Sequence, residues 1–235
     1  VHRADLMEVL ADAVRRRDPG AIRLGRAVTG YAVKGGRAHL HLDDRTVTGD
    51  VLIGADGVRS VIRATMFGAT PARYTGQAAW RVLLPREALG EGTETVDIWV
   101  GPGRHAVTYP LRRGELVNFV GSVRREAWED DSWTTARPWV ELDADFPGWH
   151  PFIRALIEAA DRDACYRWAL FDREPITEWT DGPVALMGDA AHPTLPYMAQ
   201  GAAMALEDAA VLAQALPESG DPAPALAAYR DARVE

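Results

Sequence analysis

The stretch VALMGDAAHPTLPYMAQGAAMALEDAAVLAQAL, residues 184–216, runs from an apolar segment into Gly188-Asp189. It then crosses a proline-rich loop and enters a helix of small residues that opens on Gln200-Gly201. A short continuous apolar run ending in glycine reads as a buried strand and a tight turn. An acid at the C-terminal end of such a strand lies where ligands bind in open α/β sheets, and a carboxylate there suits a sugar hydroxyl. The helix begins Gly201-Ala202-Ala203-Met204, with almost no side-chain bulk. Its free N–H groups and positive dipole end can therefore touch a ligand and favour negative charge on it. Taken singly, each feature has a plainer reading. An aspartate at a strand end also caps turns, and a small-residue helix also signals close helix packing.

A second strand–turn–helix lies upstream in DVLIGADGVRSVIR, residues 50–63, with Asp56-Gly57 at its turn. The spacing G-x-G-x-x-G fails here, so a pyrophosphate-binding loop is not supported. Between the two motifs the pattern changes. AAWRVLLP, ETVDIWVG, RHAVTYPLRRG and ELVNFVGSVRRE are strand-like segments separated by turn signals such as Gly101-Pro102-Gly103, which predicts an antiparallel sheet. The spacing of Leu6, Val9, Leu10, Ala13 and Val14 predicts a helix over 4–17, and a strand meander follows over 21–49. Residues 125–165 are Trp-rich and break into short helical pieces. CYRWALFDRE reads as a strand, and a last helix spans about 222–233. Two outer pieces thus enclose a β-rich insert, with boundaries at 1–70, 71–165 and 166–235.

Composition narrows the function classes. The 235 residues are 47% hydrophobic and 26% charged, ordinary for a globular protein, and a net charge of −8 argues against nucleic acid or an anionic membrane as partner. A single cysteine, Cys165, excludes an internal disulfide and a cysteine-based metal cluster. It fits a reducing cytoplasm. No apolar run reaches the roughly 18 residues of a membrane span, and the opening VHRADLMEVL shows no signal peptide.

Taken in order, the motifs are specific. The chain resembles the flavin-dependent aromatic hydroxylases, single-component FAD monooxygenases typified by p-hydroxybenzoate and salicylate hydroxylases. DVLIGADGVRSVIR resembles the family's Asp-Gly motif, and residues 184–208 resemble its Gly-Asp motif with the following helix. HRADL at 2–6 resembles the segment whose arginine, here Arg3, lies along the flavin. GQAAWRVLLP at 76–85 and HPTLPYMAQGAAMALEDA at 192–209 look most like the salicylate and 3-hydroxybenzoate hydroxylase branch.

The resemblance implies an α/β FAD-binding layer with an inserted antiparallel β-sheet substrate domain. It implies that Asp189 accepts from ribityl or ribose hydroxyls of FAD, with Gly188, Asp56, Gly57 and Arg3 also at the cofactor. Helix residues Gly201, Ala202, Ala203 and Met204 would face the edge of the flavin that becomes negative on reduction. The family's N-terminal Gly-rich βαβ unit is absent, so the resemblance also implies a fragment. The implied reaction reduces FAD with NADH or NADPH, forms a flavin C4a-hydroperoxide with O2 and transfers one oxygen to a phenol or small aromatic acid. Self-association into a homodimer stays open.

Ionising the phenol calls for a base near neutral pH, and histidine is the usual candidate. His105 lies in RHAVTYP, where strand alternation puts His105, Val107 and Tyr109 on one face. An imidazole and a phenol together suit a phenolate, and an ordinary strand histidine is the competing reading. Gln200, just before the helix, is a candidate contact to substrate or flavin. Asp189-x-x-His192 offers too few ligands for a metal, so no metal site is expected and His192 reads as packing. Trp80-Arg81 and the Trp-rich segment 128–149 read as structural. Two other readings remain: a flavin-dependent halogenase or reductase on the same scaffold, and a non-catalytic remnant of the fold.

Overall fold

A computed structural model describes residues 1–89, 93–128, 135–216 and 220–234. It divides into two compact units: Val1–Ile22 with Tyr74–Leu170, and Arg23–Arg73 with Phe171–Glu235. Part of the Trp-rich segment, 129–134, lies outside the described residues.

The first unit is built on a five-stranded sheet in the order β6-β7-β8-β5-β9. Its strands are β5 (Arg73–Pro85), β6 (Asp97–Gly101), β7 (Arg104–Leu111), β8 (Leu116–Arg124) and β9 (Tyr166–Asp172). Strands β6, β7, β8 and β5 pair antiparallel. Alternation decides which side chains enter the core. Ala78, Trp80, Val82 and Leu84 of β5 share one face with Val117, Phe119 and Val123 of β8 and Ala106 of β7, all buried. That face packs against α3 (Trp139–Asp145) and α4 (Pro151–Glu158), which contribute Leu142, Ile153, Leu156 and Ile157; Phe146, just past α3, joins them.

A buried carboxylate ties α3 to the sheet. Asp145 accepts from the Trp80 indole at 2.6 Å and from Arg125 at 2.6 and 2.7 Å. Trp80 is thus structural, as its sequence context suggests. Gly121 on the same face is a packing requirement: a Cβ there would sit 2.5 Å from Phe146 Cζ and 2.7 Å from Phe119 Cζ.

Helix α1 (Arg3–Arg17) forms where its spacing predicts, yet none of its residues is buried. Met7, Val9, Leu10 and Val14 are exposed. It is fixed by a forked ion pair in which Arg112 donates to both oxygens of Asp5, at 2.9 and 2.7 Å. The first 22 residues therefore group with the β-rich unit and not with the outer piece 1–70 to which the sequence reading assigned them. At the other boundary, β9 joins the five-stranded sheet, so the β-rich unit extends to Leu170 and not only to 165. Both differences arise from tertiary pairings that local patterning does not encode.

The second unit carries an antiparallel meander of β1 (Val28–Lys34), β2 (Arg37–Leu42) and β3 (Thr46–Gly49), with Gly35-Gly36 at the first hairpin. The same unit holds a second sheet of β4 (Leu52–Gly54), β10 (Thr180–Asp181) and β11 (Val184–Leu186), ordered β10-β11-β4 with β11 and β4 parallel. The parallel pair reads as two apolar runs because both faces are covered. Helices α2 (Val61–Phe67), α5 (Gly201–Ala215) and α6 (Ala223–Arg233) complete the unit. Gly54 lets α2 approach its strand: a Cβ there would lie 2.8 Å from the Ile62 Cβ and 3.0 Å from Leu186. Tyr229 of α6 donates to the Leu186 carbonyl at 3.2 Å and anchors α6 at the end of β11. Among the described residues no helix is long and apolar enough to cross a membrane.

Two outcomes follow from this packing. Replacing Gly121 with alanine forces the Phe119 and Phe146 rings to move, and overpacking of this kind costs about 1–3 kcal/mol. A denaturant melt should show that loss, and an unchanged midpoint would contradict the packing described. The Arg112 guanidinium, aided by His2, holds the Asp5 carboxyl down at about 2 from its ordinary 3.8. A depressed folded pKa means that the ion pair's contribution is complete above about pH 4 and is lost as pH falls through about 2. A carboxyl titration followed by NMR should place Asp5 near 2, and Arg112→Gln should return its midpoint toward 3.8.

Candidate functional site

Strand β11 ends at Leu186, and the chain turns at once. Met187 is extended, Gly188 takes the left-handed region at φ 59°, and a 3-10 turn spans Gly188–Ala190. Gly188 and Ala190 are buried while Asp189 between them is exposed, so the turn presents that carboxylate outward. Glycine is required twice over, because its φ is left-handed and a Cβ would press to 3.2 Å from Ala205 of α5.

Two buried charges of opposite sign hold this turn. Asp208 of α5 has no solvent exposure. Its Oδ2 accepts from the Gly188 N–H at 2.9 Å and bonds His192 Nε2 at 2.6 Å, and its Oδ1 accepts from Arg233 of α6 at 2.7 Å. Burial alone would raise the Asp208 pKa. The Arg233 guanidinium, the Gly188 N–H and His192 more than offset that and hold it below the usual carboxylate range. From the other side, Arg63 of α2, only 4% exposed, donates to the carbonyls of Ala190, Ala191 and Glu174 at 3.3, 3.1 and 3.0 Å. Burial, with Arg173 nearby, pushes the Arg63 pKa down. The turn is thus gripped by its N–H from one helix and by its C=O groups from another.

The helix that follows begins beside the turn. Gln200 precedes it, exposed, and no side chain caps the first turn of α5. A Cβ on Gly201 would stand 3.0 Å from Thr194 Oγ1 and 3.9 Å from Asp189 Oδ1. The acid and the helix N-terminus singled out in the sequence are therefore neighbours. N–H donors that the Gln200 side chain does not cap and an exposed carboxylate acceptor stand side by side here. That combination fits a ligand carrying both hydroxyl groups and a polar ring edge. Ala202 and Ala203 are exposed and Met204 is half-buried.

Asp56 is placed differently. Its oxygens accept from Ser60 Oγ at 2.5 Å and from the N–H groups of Val61 and Ile62 at 2.7 and 3.2 Å. It caps α2, the helix that carries Arg63, so its carboxylate is engaged locally. Gly57 beside it is left-handed at φ 80°, with no atom within 4 Å of where a Cβ would be. Arg3 is exposed at the first residue of α1, in the other unit.

In that β-rich unit, β7 alternates as expected. Ala106 and Thr108 are buried, while His105, Val107 and Tyr109 share the opposite face and are half-buried. Burial pushes the His105 pKa down, which favours the neutral imidazole and hence a base at neutral pH. Across the sheet His105 pairs with Ser122 and Tyr109 with Asn118. Ser122 donates to Gln77 at 2.9 Å, and Arg81 donates to Asn118 at 3.4 Å. Arg81 pairs with Val120, which pairs with Val107, so Arg81 belongs to the His105 face. The sequence reading set Arg81 aside with Trp80. Strand parity around that tryptophan was the signal that separates them. Gln200 belongs to the other unit.

His192 engages Asp208 and lies 5.1 Å from Trp179, ring centre to ring centre, which fits its packing assignment. His39 and His41 bond Thr48 and Thr46 on their sheet, and His150 accepts from the Phe152 N–H at the start of α4.

The FAD binding domain family matches residues 4–233. The chain is 36% identical over its whole length to 3-amino-4-hydroxybenzoate 2-monooxygenase PtnB3 of Streptomyces platensis, covering 59% of that protein. It is 35% identical to 3-hydroxybenzoate 6-hydroxylase 1 of Aquipseudomonas alcaligenes, over 99% of this chain and 59% of that one. Among solved structures, HpxO of Klebsiella pneumoniae, complexed with FAD and uric acid, superposes with a TM-score of 0.87. The identity there is 32%, over 100% of this chain and 59% of HpxO. The chain thus spans less than two thirds of the length of these relatives. The fold expected from the motifs, an α/β FAD-binding layer with an inserted antiparallel sheet, agrees with these matches. On the extent of the family match, the chain belongs to the FAD binding domain family.

Proposed function

We propose that this protein is an FAD-dependent monooxygenase that hydroxylates a phenolic or small aromatic acid with NADH or NADPH and O2. The observation that carries the flavin half of the reading is the pairing of exposed Asp189 with the uncapped first turn of α5. The aromatic half is supported by relatives whose names are hydroxybenzoate monooxygenases. Asp189 would accept from cofactor hydroxyls. The N–H groups of Gly201, Ala202 and Ala203 would face the ring edge that becomes negative on reduction. A helix dipole favours such charge by about 0.3–1 kcal/mol. FAD, when bound, supplies the redox chemistry: two electrons from the nicotinamide, one atom of O2 to the ring and the other to water.

The remaining steps belong to the chain's own side chains. His105, kept neutral by burial, accepts the phenol proton at an imidazole nitrogen and raises electron density on the ring. Tyr109, two residues further along the same strand face, orients the phenolate oxygen through its hydroxyl. Arg81, a cation on that face, suits a ring carboxylate. Gln200 and Met204 act as supporting contacts on the flavin side.

The two halves are tested separately. In the holoenzyme, Asp189→Ala removes a charged hydrogen-bond acceptor, a change worth about 1.5–3 kcal/mol. FAD affinity by fluorescence titration should weaken at least about tenfold, and retention of stoichiometric FAD through gel filtration would remove the assignment. His105→Ala should keep FAD and still oxidise NAD(P)H with substrate present, while product falls by about 10²–10⁴-fold, the usual cost of losing a general base. The lost electrons should appear as hydrogen peroxide. Raising the pH should partly restore product, because the phenol then ionises unaided. Unchanged coupling across the pH range would place the base elsewhere.

A further inference from the structure

We propose that Asp208 is the positioning residue of the flavin site: with His192 and Arg233 it locks the Gly188 turn so that Asp189 faces the N-terminus of α5. This rests on the flavin reading above and adds residues that the reading did not need. Asp208 stands in the second turn of α5, on the side facing the loop, and no part of it reaches solvent. It acts on the cofactor only through the turn it holds.

The bonding around it is closed and directional. Oδ2 takes two donors from the turn itself, the Gly188 N–H and His192 Nε2. Oδ1 takes Arg233, which also reaches Glu207 at 3.1 Å. The His192 Nδ1 is buried with no partner among the described residues. The ring's hydrogen bond is therefore made through Nε2, to the Asp208 carboxylate. Arg233 brings its guanidinium charge to the same carboxylate. Gly188 is held left-handed from one end of the turn and His192 from the other, with Asp189 between them. The carbonyls of Ala190 and Ala191 are held independently by Arg63. The backbone on both sides of Asp189 is therefore held. A freed Gly188 amide would let the turn relax and carry the Asp189 carboxylate away from Gly201.

The experiment has an arm without cofactor and an arm with it. In apoprotein, amide hydrogen exchange across 187–192 reads the turn. Asp208→Ala and the gentler Asp208→Asn should speed exchange at Gly188, alanine more than asparagine, because asparagine keeps one acceptor oxygen for that N–H. In the holoenzyme, FAD affinity should fall at least tenfold in Asp208→Ala and be partly rescued in Asp208→Asn. Tyr31→Phe removes a part-buried hydrogen bond from a buried tyrosine to Asp181 in the same unit. It is the control for lost stability, and should leave FAD affinity unchanged at a comparable fall in melting temperature. Unchanged exchange at Gly188 in both Asp208 variants overturns the proposal. So does faster exchange with unchanged FAD affinity while Asp189→Ala still loses FAD, or an equal loss of FAD in Tyr31→Phe. If Asp189→Ala and Asp208→Ala both keep FAD, the flavin reading itself fails and the proposal falls with it. If Asp208→Ala does not fold, Asp208→Asn against Tyr31→Phe decides alone.

Discussion

A carboxylate removed from water must have its lone pairs met by donors, or the unit that buries it loses several kcal/mol. Asp208 imposes that condition on the second unit. Its position in α5 dictates where the Gly188 N–H must point, where the His192 ring must lie and where α6 must bring Arg233. Helix α6, packed through Tyr229 on the end of β11, delivers the arginine. The turn after β11 is left-handed at a glycine whose N–H serves that carboxylate and whose missing Cβ clears Ala205. The first unit solves a similar problem with Asp145, which collects the Trp80 indole and Arg125 and fixes α3 to the sheet. In each unit, one buried acid gathers groups distant in sequence and makes an assembly of strands and helices into one arrangement.

Most of the architecture was legible in the residues. Strand alternation in RHAVTYPL and ELVNFVGSVR gave β7, β8 and the face carrying His105 and Tyr109. Short apolar runs ending in glycine gave β4 and β11 with their turns, and the small-residue opening of α5 marked an uncapped helix start. These signals are local, written within a few residues of where they act.

What escaped the sequence is tertiary. Asp208 sits in Leu-Glu-Asp on a helix, which reads as a solvated charge. Its burial appears only when Gly188 and Arg233, 20 and 25 residues away, converge on it. Arg63 is hidden in the same way, since a cation among apolar residues gives no hint that three carbonyls await it. Asp56 was legible as an acid at a turn, but its engagement with α2 needed the hydrogen bonds to be seen. The grouping of α1 with the β-rich unit depends on Arg112, more than a hundred residues from Asp5. Arg81 was readable from strand parity, which sets it on the face opposite Trp80, and its pairing with Val120 puts it on the His105 side.

The alternation of β7 has a consequence for substitution. Core residues and outward-facing residues interleave one by one along the strand, so the hydrophobic interior and the His105 face share a backbone but no side chains. Exchanging Val107, or the residues opposite it on β8, alters the size and polarity of that surface while Ala106, Thr108 and Phe119 keep their packing. Single substitutions on that face can therefore change it without disturbing the core packing. The Gly188 turn, whose backbone is clamped from two helices, has no such freedom: a side chain at 188 would meet Ala205 and a left-handed backbone at once. Tolerance to substitution is thus divided between a pleated face that can vary and a turn that cannot.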